Sequence, residues 1–127
     1  MEVKASVSQI RISPRKLRLL TRDLRKLNPK VAIEKLQFFP QKGRIILQKL
    51  IKQGVANAVN NFKLSADNLI ISEIQVNEGP SIKRMDKSHG ARFDRGLLKK
   101  RSSRLLLVLS EKEVISKKEG ETSGPKS

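Results

Sequence analysis

Arg11, Arg15, Lys16, Arg18, Arg22 and Arg25 crowd one short stretch in which Asp23 is the only acid before Lys26. A second cluster holds Lys83, Arg84, Lys87, Arg92, Arg95, Lys99, Lys100, Arg101 and Arg104 against Asp86 and Asp94. Guanidinium and ammonium groups gathered without counter-charges suit one chemistry above others, charge-assisted hydrogen bonding to phosphate oxygens. An ordinary solvated helix face would mix signs to limit repulsion and form spaced pairs, which the first cluster does not do. A membrane-surface helix would account for the first cluster and leave the second unexplained. The bland reading of the second is a flexible basic loop. Its place between two segments that read as paired strands favours an extended ribbon.

Catalysis has no comparable support. His89 is the sole histidine, with Asp86 and Asp94 as its nearest acids, and nothing supplies a second imidazole or a thiolate. The surrounding positive charge opposes a divalent cation, so His89 reads as a polar surface residue and not as a metal ligand or base. No Gly-x-x-x-x-Gly-Lys phosphate cradle occurs, and no serine has a histidine at recognisable spacing. The expectation is a protein that is not an enzyme, with no catalytic residue, no metal and no cofactor.

Composition points the same way. The 127-residue chain carries 28 Lys and Arg against 12 Asp and Glu, a formal net charge of +16 and a pI near 10.7. In a compact monomer that charge repels itself unless a polyanion neutralises it. Nucleic acid is favoured over an anionic membrane, and both over an acidic protein. Four Phe with no Tyr or Trp leave no platform for stacking splayed bases, so recognition falls to backbone phosphates and shape. With no Cys, disulfides, thiolate metal sites and cysteine nucleophiles are excluded. Leu105–Leu109, the longest aliphatic run, is far too short to span a bilayer, and residues 1–10 read as neither a signal nor a transit peptide.

The basic clusters need elements to position them. Residues 53–80 hold only Lys63 against Asp67, Glu73 and Glu78, so two basic regions flank a nearly neutral middle that reads as core. Val3, Ala5 and Val7 alternate with polar residues, the period of a short edge strand. Ser13-Pro14 opens a helix on which Leu17, Leu20, Leu24 and Leu27 recur until Asn28-Pro29, and Arg15, Arg18, Arg22 and Arg25 share it. Asn28-Pro29 restarts a shorter helix with Ala32, Leu36 and Phe39 on one side, closed by Pro40. A third helix is expected from about 41 to 62, with an apolar stripe of Ile46, Leu47, Leu50, Ile51, Gly54, Val55 and Ala58. Gly54 and Ala58 would permit close packing there.

Asp67-Asn68 turns into a strand over 69–76, whose partner is Leu105–Leu109. Gly79-Pro80 marks a bulge or bend where the chain leaves that sheet. Residues 81–104 contain too few large apolar groups to build a second core, so they are either disordered or a two-stranded ribbon. Ten residues out and ten back would reach about 30 Å. One domain over 1–110 is expected, with a body at 1–80 and 105–110, a hairpin at 81–104, and a disordered tail over 111–127.

Four stretches, in order, resemble the bacterial-type large-subunit ribosomal protein L-twenty-two family. They are Ile12-Ser13-Pro14-Arg15-Lys16-Leu17-Arg18-Leu19, Ala56-Asn57-Ala58-Val59-Asn60-Asn61, Asn77-Glu78-Gly79-Pro80-Ser81-Ile82-Lys83-Arg84 and Lys100-Arg101-Ser102-Ser103. Each is weak alone and the four together are specific. At the hairpin tip the chain departs from the family pattern, carrying Lys87-Ser88-His89-Gly90-Ala91-Arg92.

The resemblance implies an α+β fold of three helices packed on a small antiparallel sheet, with a long protruding β-hairpin. It implies a structural constituent of the large ribosomal subunit that binds folded ribosomal RNA, supports assembly and lines the nascent-chain exit tunnel with its hairpin. Its partners would be large-subunit RNA, neighbouring ribosomal proteins and the nascent polypeptide, with no membrane and no homo-oligomer. The RNA contacts would fall on the two basic clusters, with Ser88, His89, Gly90 and Ala91 at a tip facing the tunnel. The location would be the cytoplasm, in the ribosome, or an organellar ribosome. The alternative is a non-ribosomal basic nucleic-acid-binding protein, of nucleoid or RNA-remodelling type.

Overall fold

The computed structural model of the chain describes residues 1–87 and 96–112. In order come β1 (Glu2–Ile10), α1 (Pro14–Thr21), α2 (Pro29–Gln37), α3 (Gly43–Phe62) and a 3-10 turn at Ala66–Asn68. They are followed by β2 (Leu69–Glu78), β3 (Ile82–Met85), β4 (Leu97–Lys100) and β5 (Ser103–Glu111). β1, β5 and β2 form an antiparallel sheet with β5 in the middle, and β3 pairs with β4 in a separate antiparallel ribbon. The architecture is the expected α+β one. Among the described residues, no helix is long and apolar enough to cross a membrane.

Strand alternation alone would bury every second residue, and both outer strands break that rule in the same way. In β1, Val3 and Ala5 are buried and Val7 is partly so, after which Ile10 takes the inward position. A register shift against β5 between Val7 and Ile10 accommodates the extra residue, and Gln9 takes a positive φ of 59° there. In β2, Leu69 and Ile71 point inward, the register shifts between Ile71 and Glu73, and Ile74 and Val76 resume the pattern. β5 keeps phase throughout, burying Ser103, Leu105, Leu107 and Leu109.

On that inward face lies α3, whose Leu47, Leu50, Ile51, Gly54 and Ala58 are buried, with Ile46 and Val55 partly so. A Cβ on Gly54 would stand 2.9 Å from Leu107 Cδ2 and 3.1 Å from Leu109 Cδ1, so the helix backbone rides directly on the central strand. Burying each such Leu or Ile contributes about 1.5–3 kcal/mol. α2 starts as its sequence indicates. The Asn28 Oδ1 accepts from the Lys30 N–H at 2.9 Å, and Pro29 occupies the first turn, where its missing donor costs nothing.

α1 requires a correction. The leucine period runs to Leu27, yet the helix stops at Thr21 and residues 22–26 form turns, so Arg22 and Arg25 do not share a helix with Arg15 and Arg18. The reason is competition from β2. Lys26 N–H donates to the Ile71 carbonyl at 2.8 Å and Ile71 N–H donates to the Leu27 carbonyl at 2.9 Å. Those bonds commit the backbone of 26–27 to the edge of the sheet, and Lys26 adopts a φ of 65° to reach it. Leu24 remains fully buried, which is why the apolar spacing outlasts the helix.

The β3–β4 ribbon continues the β2–β5 pair past a bend. The last rung of the main sheet is Glu78 with Ser103, and the first of the ribbon is Ile82 with Lys100. Four steps on one strand therefore face three on the other. Gly79 lies in this gap, its N–H donating to the Ser102 carbonyl at 2.9 Å, and a Cβ there would fall 3.2 Å from the Ser102 carbonyl carbon. The expected bend at Gly79-Pro80 is thus present. The four described rungs span about 10 Å at the usual strand rise. Residues 88–95, which include the expected tip, and residues 113–127, most of the expected tail, lie outside the described residues.

Candidate nucleic-acid interface

Leu17, Leu20 and Thr21 point α1 into the core, which leaves Arg15, Lys16 and Arg18 on its exposed side. The Arg18 guanidinium is not free to roam. Its Nη2 donates to the Val76 carbonyl on the outer edge of β2 at 3.1 Å, which fixes the group and leaves its other N–H donors available. Arg22 and Arg25, in the turn after α1, lie beside Arg18 along β2. With Ile74, Gln75, Val76 and Asn77 they line a concavity of about 450 Å³.

Arg18 also belongs to a second concavity of about 420 Å³, between the start of α1 and the root of the ribbon. Here Arg15 and Arg18 face Lys99 and Arg101 across Ser81 and Ser102, with Glu78 as the acid present. Arg101 continues around the root into a third concavity of about 540 Å³ that contains Arg11, Lys100, Ile82 and Gln9. Arg11 then leads to a fourth, of about 610 Å³, with Lys16, Lys42 and Leu19. Because Arg18, Arg101 and Arg11 are shared, the four form one continuous surface. Ten Lys and Arg line it against Glu78 alone.

The two clusters, far apart in sequence, therefore meet. Arg11, Arg15, Lys16, Arg18, Arg22 and Arg25 join Lys99, Lys100 and Arg101 on this surface. Lys83 and Arg84 are exposed on β3, and Lys87 is exposed just past it. Arg104 stands elsewhere, in β5, where it pairs in register with Asn77 on the side of the sheet away from the helices. Arg92, Arg95, Ser88, His89, Gly90 and Ala91 lie outside the described residues.

Sequence reading passed over Lys42, Gln9 and Ser102. Lys42 enters through the packing of α3 on α1, where a Cβ on Gly43 would come 2.8 Å from both Leu17 Cδ2 and Leu20 Cδ1. Nothing local marks Gln9, whose position comes from the β1 bulge. Ser103, buried at the foot of β5, donates to the Ile12 carbonyl at 2.7 Å and so ties the segment bearing Arg11 to the ribbon root.

Among the described residues, no group of three or more His, Asp or Glu is arranged to hold a metal ion. The arrangement can instead offer a run of exposed cations, part of it preset by backbone contacts, to a flexible polyanion. Fold and surface together define a basic α+β domain carrying a two-stranded arm. The family model of Ribosomal protein L22p/L17e matches residues 5–110, and the chain belongs to that family.

Similar proteins carry the name large ribosomal subunit protein uL22. That of Petrotoga mobilis is 42% identical over 115 residues, covering 90% of this chain and 75% of its own. That of Thermotoga sp. strain RQ2 is 40% identical over 112 residues, 88% of this chain and 69% of its own. That of Mycoplasma capricolum subsp. capricolum is 40% identical over 114 residues, 89% of this chain and 100% of its own.

Proposed function

We propose that this protein is a structural constituent of the large ribosomal subunit that binds folded ribosomal RNA through backbone phosphates. One observation carries the reading. Two basic clusters separated by a near-neutral core converge on a single surface, where Arg11, Arg15, Lys16, Arg18, Arg22, Arg25, Lys99, Lys100 and Arg101 line adjoining concavities. Concave basic surfaces with mixed guanidinium and ammonium donors suit the closely spaced phosphates of folded RNA. Arg18, held by Val76, is pre-oriented, so less side-chain entropy is lost when it takes a phosphate.

Family membership supports the finer assignment. The body seats on RNA and assists subunit assembly, and the arm, with Lys83, Arg84, Lys87, Arg92 and Arg95 along it, runs between RNA segments. Its tip at Ser88–Ala91 faces the nascent chain in the exit tunnel. Neighbouring ribosomal proteins are further partners, the role is not enzymatic, and the protein works as one copy per subunit in the cytoplasm. Sedimentation of a lysate tests this directly. In moderate salt the protein is expected with the large subunit; co-migration with DNA, or a soluble pool unattached to ribosomes, overturns the reading.

A further inference from the structure

The register of the arm places two lysines face to face. Lys83 of β3 is directly opposite Lys99 of β4, flanked by the pairs Ile82–Lys100 and Arg84–Leu98. Directly opposed residues on one face have Cβ atoms about 4.5–5.5 Å apart, and like charges there weaken the pairing. Both side chains are exposed, and among the described residues neither is joined to a carboxylate. All eight strand residues of the arm are exposed, so burial does little to offset the repulsion. A two-stranded ribbon of this kind is marginal in water.

Lys99 is also the residue that carries this face of the arm into the concavity of Arg15, Arg18 and Arg101. Past the bend at Gly79-Pro80, Lys99 is the lysine that lines the concavity beside α1. Lys100 lines the neighbouring concavity with Arg11 instead.

We propose that Lys83 and Lys99 form a cross-strand phosphate site, in which one backbone phosphate of RNA bridges the two ammonium groups and thereby closes the root of the arm. The site rests on the RNA-binding reading and deepens it. Without the phosphate, the pair pushes β3 and β4 apart; with it, the pair becomes a cation–anion–cation sandwich that favours their register. The arm's order is then coupled to engagement of the adjacent body surface. RNA is favoured over an acidic protein because Arg15, Arg18 and Arg101 extend the same positive track, which matches a chain of regularly spaced phosphates.

The test uses Lys83→Glu and Lys83→Gln in the full chain, with amide exchange read at 82–85 and 97–100. In the free protein, Lys83→Glu replaces repulsion by attraction and is expected to raise protection by about five-fold, with Lys83→Gln intermediate. With large-subunit RNA, wild type is expected to gain protection at these amides and Lys83→Glu to gain less, while its log–log salt slope falls by about one. Unchanged or lower protection in free Lys83→Glu overturns the site, as does an undiminished gain on RNA. Equal protection of wild type by inorganic phosphate or by polyglutamate of matched charge overturns the assignment to an RNA backbone. If wild type itself shows no salt-dependent RNA affinity, the RNA-binding reading fails, whereas the free-protein comparison still reports on the lysine pair.

Discussion

Replacing Arg15, Arg18 and Arg22 by Glu should remove three phosphate contacts without unfolding the body. All three side chains are exposed, and they line two adjoining concavities that share Arg18. Counterion release gives about 0.9 of log–log slope per phosphate neutralised, so the slope should fall by about 2.7. Across a fourfold rise in salt, that difference amounts to about forty-fold in affinity. The variant should therefore bind large-subunit RNA far more weakly at low salt and lose proportionately less as salt rises.

The folded-state cost is smaller. Losing the bond from Arg18 to the Val76 carbonyl costs about 0.5–1.5 kcal/mol. A carboxylate in the last turn of α1 costs about 0.3–1 kcal/mol, and one in the first turn, at position 15, returns a similar amount. The total is small beside a stability of about 5–15 kcal/mol. Fluorescence anisotropy with large-subunit RNA at several salt concentrations, paired with circular dichroism, reads both quantities. An unchanged slope would refute the phosphate assignment. Loss of helical signal would mean the weakened binding reflects unfolding instead.

Leu50, 1% exposed on the inward stripe of α3, tests the core. Leu50→Asp strands an unpaired carboxylate there and should cost about 3–5 kcal/mol, enough to abolish a cooperative melt near the wild-type temperature. Gly54→Val drives a side chain into Leu107 and Leu109 and should lower stability by at least about 1–3 kcal/mol in a denaturant melt; wild-type stability would show that α3 does not ride on β5. Asn28→Ala removes the cap on α2 and the bond from Asn28 Nδ2 to the Asp67 carbonyl at 2.9 Å. A loss of about 0.5–2 kcal/mol is expected, and no change in chemical denaturation would show the cap to be idle.

The parts of this fold that sequence made legible are those governed by local period. The α3 stripe, the Asn28-Pro29 restart and the bend at Gly79-Pro80 each follow from spacing, capping or a missing donor. The end of α1 was not legible, because it is set by two hydrogen bonds that tie Lys26 and Leu27 to Ile71, 45 and 44 residues further along the chain. Nor was the β1 bulge, since its left-handed position falls on Gln9, not on a glycine, nor the β2 shift between Ile71 and Glu73, which no glycine or proline marks. The same divide applies to the surface. Charge clustering pointed to the cations, but only the folded chain shows that Lys99 shares a concavity with Arg15 and Arg18 while Lys100 shares one with Arg11. Register also places Arg104 in β5, apart from the arm to which its sequence position assigned it.

That placement gives the molecule a direction. On the sheet face turned away from the helices, Lys4 and Glu73 stand in register on either side of Val108, with Ser6 and Gln75 beside Leu106 and Asn77 beside Arg104. The charges there, Glu2, Lys4, Glu73 and Arg104, cancel. The concavities around α1 and the arm root, by contrast, are lined by ten cations and one acid. Uncompensated charge on one side and balanced charge on the other make the approach to a polyanion one-sided, because the attractive field falls off within about 8–10 Å at physiological salt. With RNA as the proposed polyanion, the surface that meets it first is the one from which the arm emerges. On the function proposed above, the body would anchor the ribbon root among phosphates while the outer sheet face stays free of them, and the exposed ribbon, marginal by itself, would be delivered to the partner that completes it.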